Sequence, residues 1–197
     1  QACAIEIEIL KKPIGKQDQY IAAFGGFQYM QFHPDHAVSI DPIRCNAKTK
    51  KRLELRLMLL YTGLTRSADT ILAQQGKNME TQAGTQNALG TMVGLARRIR
   101  EDLHDNDFRR FGELLDANWQ LKKTLADTIT TPQIDKWYSL AKKQGALGGK
   151  VLGAGGGGFL LLYAEPQYHV RIKKVLHSLV PLDFRFEPKG SSIVYEG

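Results

Sequence analysis

Gly145-Ala-Leu-Gly-Gly-Lys-Val-Leu-Gly-Ala-Gly-Gly-Gly-Gly-Phe-Leu-Leu-Leu-Tyr-Ala164 is the stretch on which the reading of this chain turns. Eight of the fourteen residues from Gly145 to Gly158 are glycine. A turn needs one or two, and each further glycine adds conformational entropy that folding must remove. Such a run is tolerated where the backbone has to come close to a ligand or to another chain segment. It is not a Walker A loop, because no Gly-Lys-Ser/Thr follows the glycines. It is not a dinucleotide fingerprint either, because it leads into the apolar strand Phe159–Ala164 and not into a helix. A generic flexible loop is the plain alternative; a ligand-proximal backbone is the preferred reading.

Working outward, the apolar strand is followed by a helix from about Pro166 to Leu179 and two short strands near 183–187 and 191–195. Upstream, Thr131-Pro132 gives the favoured cap-then-proline start of a helix that carries Ile134, Trp137, Tyr138 and Ala141 and stops at Gly145. Phe108, Phe111, Leu115 and Trp119 mark another helix, with Asn106 or Asp107 as its cap. Leu89, Met92, Val93, Ala96, Ile99 and Leu103 form an apolar stripe on a third. Leu53–Tyr61 reads as a strand that becomes buried on both faces. Phe27–Phe32 and Ala37–Ile40 suggest a hairpin across His33-Pro-Asp-His36. The opening Ile5-Glu-Ile-Glu-Ile9 alternates with period two, which argues a strand ended by Pro13 and Gly15. Sheet elements around a helical middle predict an α+β fold with helices packed on an antiparallel sheet.

The 197 residues are 43% hydrophobic and 24% charged, an ordinary globular composition. The longest apolar run is far short of the ~20 residues of a membrane span. No secretory signal opens the chain, and two cysteines, Cys3 and Cys45, cannot build a disulfide framework, so a reducing, cytoplasmic setting is expected. The net charge of +7 suits an anionic partner such as a nucleotide or phosphorylated metabolite. Much of it sits in Lys48-Thr-Lys-Lys-Arg52, Arg97-Arg98-Ile-Arg100 and Lys173-Lys174, which read as solvated faces. No recognisable nucleic-acid module accompanies them.

Two more constellations can carry chemistry. In Pro13-Ile-Gly-Lys-Gln-Asp-Gln-Tyr20 a carboxylate, Asp18, lies between Lys16 and two glutamines. It is a turn or cap residue, or a base for an alcohol kept ionised by a neighbouring cation. In Tyr61-Thr-Gly-Leu-Thr-Arg-Ser-Ala68 a strand end meets hydroxyl residues and a helix start. Thr65 or Ser67 can simply cap that helix; its amides with Arg66 also make an anion site.

Taken together and in this order, these pieces resemble the GHMP kinases, the superfamily of galactokinase, homoserine kinase, mevalonate kinase and phosphomevalonate kinase. Glu6-Ile-Glu-Ile-Leu-Lys-Lys-Pro13 with the following Ile-Gly-Lys-Gln-Asp18-Gln19 is similar to the galactokinase stretch E-x-E-x-x-x-x-P-x-G-x-x-D-Q. Gly148–Phe159 is similar to the superfamily's third motif. Within the superfamily, the heptose kinases share Gly-Lys-Gln-Asp-Gln-Tyr and Tyr-Thr-Gly-Leu-Thr-Arg-Ser-Ala almost as written here.

The resemblance implies a remnant of the N-terminal, ATP-binding domain over 1–45 and a ferredoxin-like C-terminal domain over 46–197. It implies Asp18 as the catalytic aspartate and Glu6 as the ligand of Mg2+, on a helix, against the strand reading of 5–9. It sets Gly153, Gly155, Gly156 and Gly157 against the phosphates and sugar, with Thr65 and Arg66 as looser candidates for holding the sugar or its phosphate. The reaction implied is transfer of the γ-phosphate of ATP to the anomeric hydroxyl of a heptose 7-phosphate, with Asp18 and the glycine run meeting across one cleft. The superfamily's first two motifs would lie upstream, so the chain is expected to be a C-terminal portion that needs an N-terminal segment as partner and is inactive alone. Two alternatives stand: a kinase of an unphosphorylated sugar of fucose or galactose type, or a non-catalytic module binding an anion or nucleic acid. Retention of both Asp18 and Glu6 disfavours the second.

Overall fold

The computed structural model describes residues 1–195. It opens on a helical turn of π type, Ala4–Ile9, followed by helix α1, Gln17–Phe24. Strands β1, Gln28–Phe32, and β2, Val38–Pro42, form the expected hairpin, with Phe32 paired to Val38. Its turn closes through the His36 N–H on the His33 carbonyl at 3.0 Å.

The strand expected over 5–9 is instead helical, as the resemblance implied. A strand's backbone groups need a neighbouring ladder. This segment pairs with no strand among the described residues and satisfies its amides locally, as in Leu10 N–H to the Ile5 carbonyl at 2.9 Å.

Helix α2, Ala47–Glu54, takes residues that the sequence reading assigned to a strand; strand β3 is confined to Leu57–Tyr61. Asn46 decides the difference, since its side chain accepts from the Thr49 N–H at 2.7 Å and caps α2. Helices α3, Ala68–Thr81, and α4, Ala83–His104, then run into α5, Phe111–Lys123, and α6, Pro132–Lys143. The stripe on α4 is less buried than its periodicity suggests: Val93 is 48% exposed, while Leu103 is buried. Phe108 is buried but precedes α5, and Asp107 accepts from the Arg109 N–H without capping the helix.

Thr131 caps α6 as expected, accepting from the Ile134 N–H at 3.2 Å. Thr131→Ala is expected to cost about 1 kcal/mol, read as a lowered midpoint in urea unfolding with an unchanged slope.

Beyond Gly145, residues 146–151 are strand β4, which the sequence reading left unassigned within the glycine-rich segment, since glycine disfavours strands. Strand β5, Phe159–Ala164, helix α7, Pro166–Val175, and strand β6, Val180–Leu182, complete the chain's regular structure. The strands expected at 183–187 and 191–195 are irregular. There the backbone bonds elsewhere: Phe186 N–H to the Glu54 carboxylate, Ser191 N–H to the Ala22 carbonyl.

The main sheet has the order β4-β5-β3-β6 with every neighbour antiparallel. Two crossovers, β3 to β4 through α3–α6 and β5 to β6 through α7, give the split β-α-β arrangement of a ferredoxin-like fold. One face buries Met58, Leu60, Leu160 and Leu162 with Trp119, Ile134, Trp137 and Ile172. On the other, Tyr163 packs with Leu53, Leu103, Phe108 and Leu115. Within residues 1–45 the one buried residue is Gly25, so this stretch leans on the rest of the chain. None of the helices described is long and apolar enough to cross a membrane.

Candidate functional site

The glycine run from 153 to 158 bridges β4 and β5 as a tight ribbon. Its glycines are explained partly by its own chain: a Cβ on Gly157 would sit 2.4 Å from the Leu64 carbonyl oxygen, and one on Gly155 2.7 Å from the Ile129 oxygen. The ribbon is tied down on both sides. Gly156 N–H donates to Ile129 O and Gly158 N–H to Leu64 O, both at 2.8 Å, and the Thr62 hydroxyl donates to Gly158 O at 2.8 Å. The N–H groups of Gly153, Ala154, Gly155 and Gly157 donate to no acceptor among the described residues. A backbone pinned at alternate residues and leaving four donors available suits an anionic ligand.

Beside the ribbon lies a cavity of about 400 Å³ lined by Arg66, Ser67, Thr70, Asp127, Thr128 and Thr130, among others. Arg66 and the Thr128 carbonyl both press on Gly156. The guanidinium of Arg66 makes no hydrogen bond or ion pair among the described residues, so it is available to a ligand. Thr130 Oγ1 is buried without a partner, a state that native proteins mostly avoid unless a ligand or water completes it. Hydroxyls, one carboxylate and one cation make a lining suited to a polyol bearing a phosphate. Of the sequence candidates, Arg66 lines this cavity; Thr65 is exposed and does not. Ser67, Thr70, Asp127, Thr128 and Thr130 were missed. Ser67 was noted only as a cap, and the others fall in a stretch with no signal beyond its abundance of threonine.

Asp18 is in the first turn of α1, exposed, with no hydrogen bond or ion pair among the described residues. Its neighbour Gln19 has a buried, unpartnered Oε1. Glu6 is half-buried in the opening helical turn. Between them in sequence, Lys12 pairs with Asp69 of α3 at 2.7 Å. Thus the segment bearing Glu6 and Asp18 and the glycine ribbon both adjoin residues 66–69, from opposite directions along the chain. No group of three or more His, Cys, Asp or Glu side chains gathers among the described residues.

A separate network braces the edge of β4. Asp116 of α5 accepts from Tyr138 at 2.6 Å and from Lys142 at 2.9 Å, and Lys142 also donates to the Leu147 carbonyl. Burial pushes the Asp116 carboxyl up, but these hydrogen bonds outweigh it and hold it below the usual carboxylate range. Burial and the adjacent Asp116 push the Tyr138 phenol well up, so it stays a donor.

Residues 99–179 match the family described as GHMP kinases C terminal. The chain is 31% identical, over 96% of its length, to the D-glycero-alpha-D-manno-heptose 7-phosphate kinase of Campylobacter jejuni. It is 32% identical over 85% of its length to the L-fucokinase/L-fucose-1-P guanylyltransferase of Bacteroides fragilis. Among solved structures it is similar to a D-glycero-D-manno-heptose 1-phosphate kinase of Bacteroides thetaiotaomicron, with a TM-score of 0.62 and 26% identity over 96% of this chain and 51% of that one. The chain spans 56% of the Campylobacter kinase and 18% of the Bacteroides fragilis protein.

Proposed function

We propose, from the match of residues 99–179 to the family described as GHMP kinases C terminal, that the chain is the catalytic C-terminal part of an ATP-dependent sugar-phosphate kinase. Its substrate is a heptose 7-phosphate, phosphorylated on the anomeric hydroxyl. Residues 1–45 are the end of the ATP-binding domain and 46–197 the C-terminal domain. The observation that carries this reading is the hydroxyl-rich cavity with its unpaired Arg66, set against the glycine ribbon.

Phosphoryl transfer asks for positioning and charge neutralisation more than for covalent chemistry. Arg66 holds the sugar's phosphate, and Ser67, Thr70, Asp127 and Thr128 hydrogen-bond its hydroxyls. The unengaged amides of Gly155 and Gly157 face the charge on the transferred group. Asp18 accepts the proton of the attacking hydroxyl or aligns it. Glu6 holds Mg2+, which when bound shields the charge of the nucleotide's phosphates.

The similarity to a fucokinase favours a second reading, an unphosphorylated sugar in the same cavity. Steady-state kinetics of the full-length kinase separate the two. With heptose 7-phosphate, Arg66→Gln is expected to raise KM about tenfold or more with little change in kcat, since a hydrogen bond to a charged group is worth about 1.5–3 kcal/mol. With a neutral sugar the same substitution leaves KM unchanged. A wild-type preference for fucose or galactose over the phosphorylated heptose overturns the assignment.

A further inference from the structure

Helix α5 and strand β4 run side by side in the same direction. A Cβ on Gly112 would lie 2.7 Å from that of Leu147, and one on Gly148 1.8 Å from the Gly112 oxygen and 2.9 Å from the Asp116 N. Further along, the Lys122 ammonium donates to the Gly153 carbonyl, the first residue of the ribbon. Lys150 stands two residues beyond Gly148, on the same face of β4 by strand alternation, and so faces α5 between Asp116 and Lys122. Both lysines are half-buried.

Neither has a counter-charge among the described residues. Asp116 is engaged by Tyr138, Lys142 and Gln120, and Asp135 by Lys123 at 3.2 Å. Lys150 makes no hydrogen bond or ion pair among the described residues, and Lys122 has only the Gly153 carbonyl. Lys122 reaches the ribbon's first residue and Lys150 stands three residues before it on β4, beside the Gly153 and Ala154 amides, which are unengaged among the described residues.

We propose that Lys122 and Lys150, with the opening of the glycine ribbon, form a second oxyanion site that takes a phosphate group. Lys122 keeps one proton on Gly153 O and presents the others, while Lys150 closes the site from the strand. Burial, then the charge of Lys150, pushes Lys122 down to about 8, and burial pushes Lys150 down as well; a neighbouring anion favours the charged form of both. The site stands on its own geometry, so it holds or fails independently of the sugar-kinase reading.

The test is a titration of the 197-residue chain with inorganic phosphate at constant ionic strength, followed by NMR of the lysine side-chain methylenes. Phosphate, but not chloride, is expected to shift Lys122 and Lys150. Lys150→Met, which keeps the apolar stem, and Lys122→Gln weaken that binding about tenfold or more; Lys150→Arg and Arg66→Gln retain it. Parallel titrations with ADP and with glucose 6-phosphate show whether the phosphate group comes from a nucleotide or a sugar. Equal shifts with chloride, phosphate shifts that bypass both lysines, or unchanged affinity in Lys150→Met overturn the proposal. The wild-type titration decides the matter even where a variant fails to fold.

Discussion

Replacing Asp18 with Asn in the full-length kinase is expected to lower kcat about 10²–10⁴-fold, the range of a positioned acid–base group. Stability should change by less than about 1 kcal/mol. The split follows from its surroundings. Asp18 is exposed and bonded to nothing else among the described residues, so the fold hardly uses it beyond a favourable charge at the start of α1. On the reading proposed above it serves the substrate, beside a glutamine whose buried oxygen is also unpartnered. Phosphoryl transfer under saturating ATP and sugar phosphate, with thermal unfolding of the same preparations, checks both halves. Near wild-type turnover would move the proton-accepting role elsewhere.

The largest effect on stability is expected at Gly148. An added Cβ would lie 1.8 Å from the Gly112 oxygen and 2.8 Å from its carbonyl carbon, so α5 must move off the edge of β4. Backbone meets backbone there, and no flexible side chain can give way. Gly148→Ala should cost about 3 kcal/mol or more, whereas Gly153→Ala, with open space around it but φ of +68°, should cost only about 1 kcal/mol. Equilibrium urea unfolding of the two variants gives the comparison; equal midpoints would mean that α5 does not seat on β4 as described.

Much of this architecture was legible in the residues. Thr131-Pro132 marks the start of α6, and the turn at 33–36 places the first hairpin, because those signals are local and chemically specific. What failed was long-range. The alternation of Ile5–Ile9 lacks a partner strand, and a ladder requires two. Leu53 fits a strand pattern but belongs to a helix, because the cap seven residues upstream at Asn46 governs its conformation. Strand β4 is hidden by its glycines, which are there so that α5 can approach. The ribbon and Arg66 were visible as motifs, but the threonines across the cavity were not: residues 128–131 come from another part of the fold, and nothing in their local pattern shows what they face. Lys122 and Lys150 were missed for the same reason, since single lysines on separate elements become a pair only in three dimensions.

One detail of residues 187–191 reaches back to the beginning of the chain. The Glu187 carbonyl receives Gly26 N–H at 2.9 Å, Ser191 bonds the Ala22 carbonyl through both its amide and its hydroxyl, and Gly190 nests against Ala23. The stretch holding Asp18 buries almost nothing of its own, so this buckle does much to keep α1 in place. A protease nicking the backbone there would unfasten the helix that presents Asp18 while the sheet and its core stayed whole.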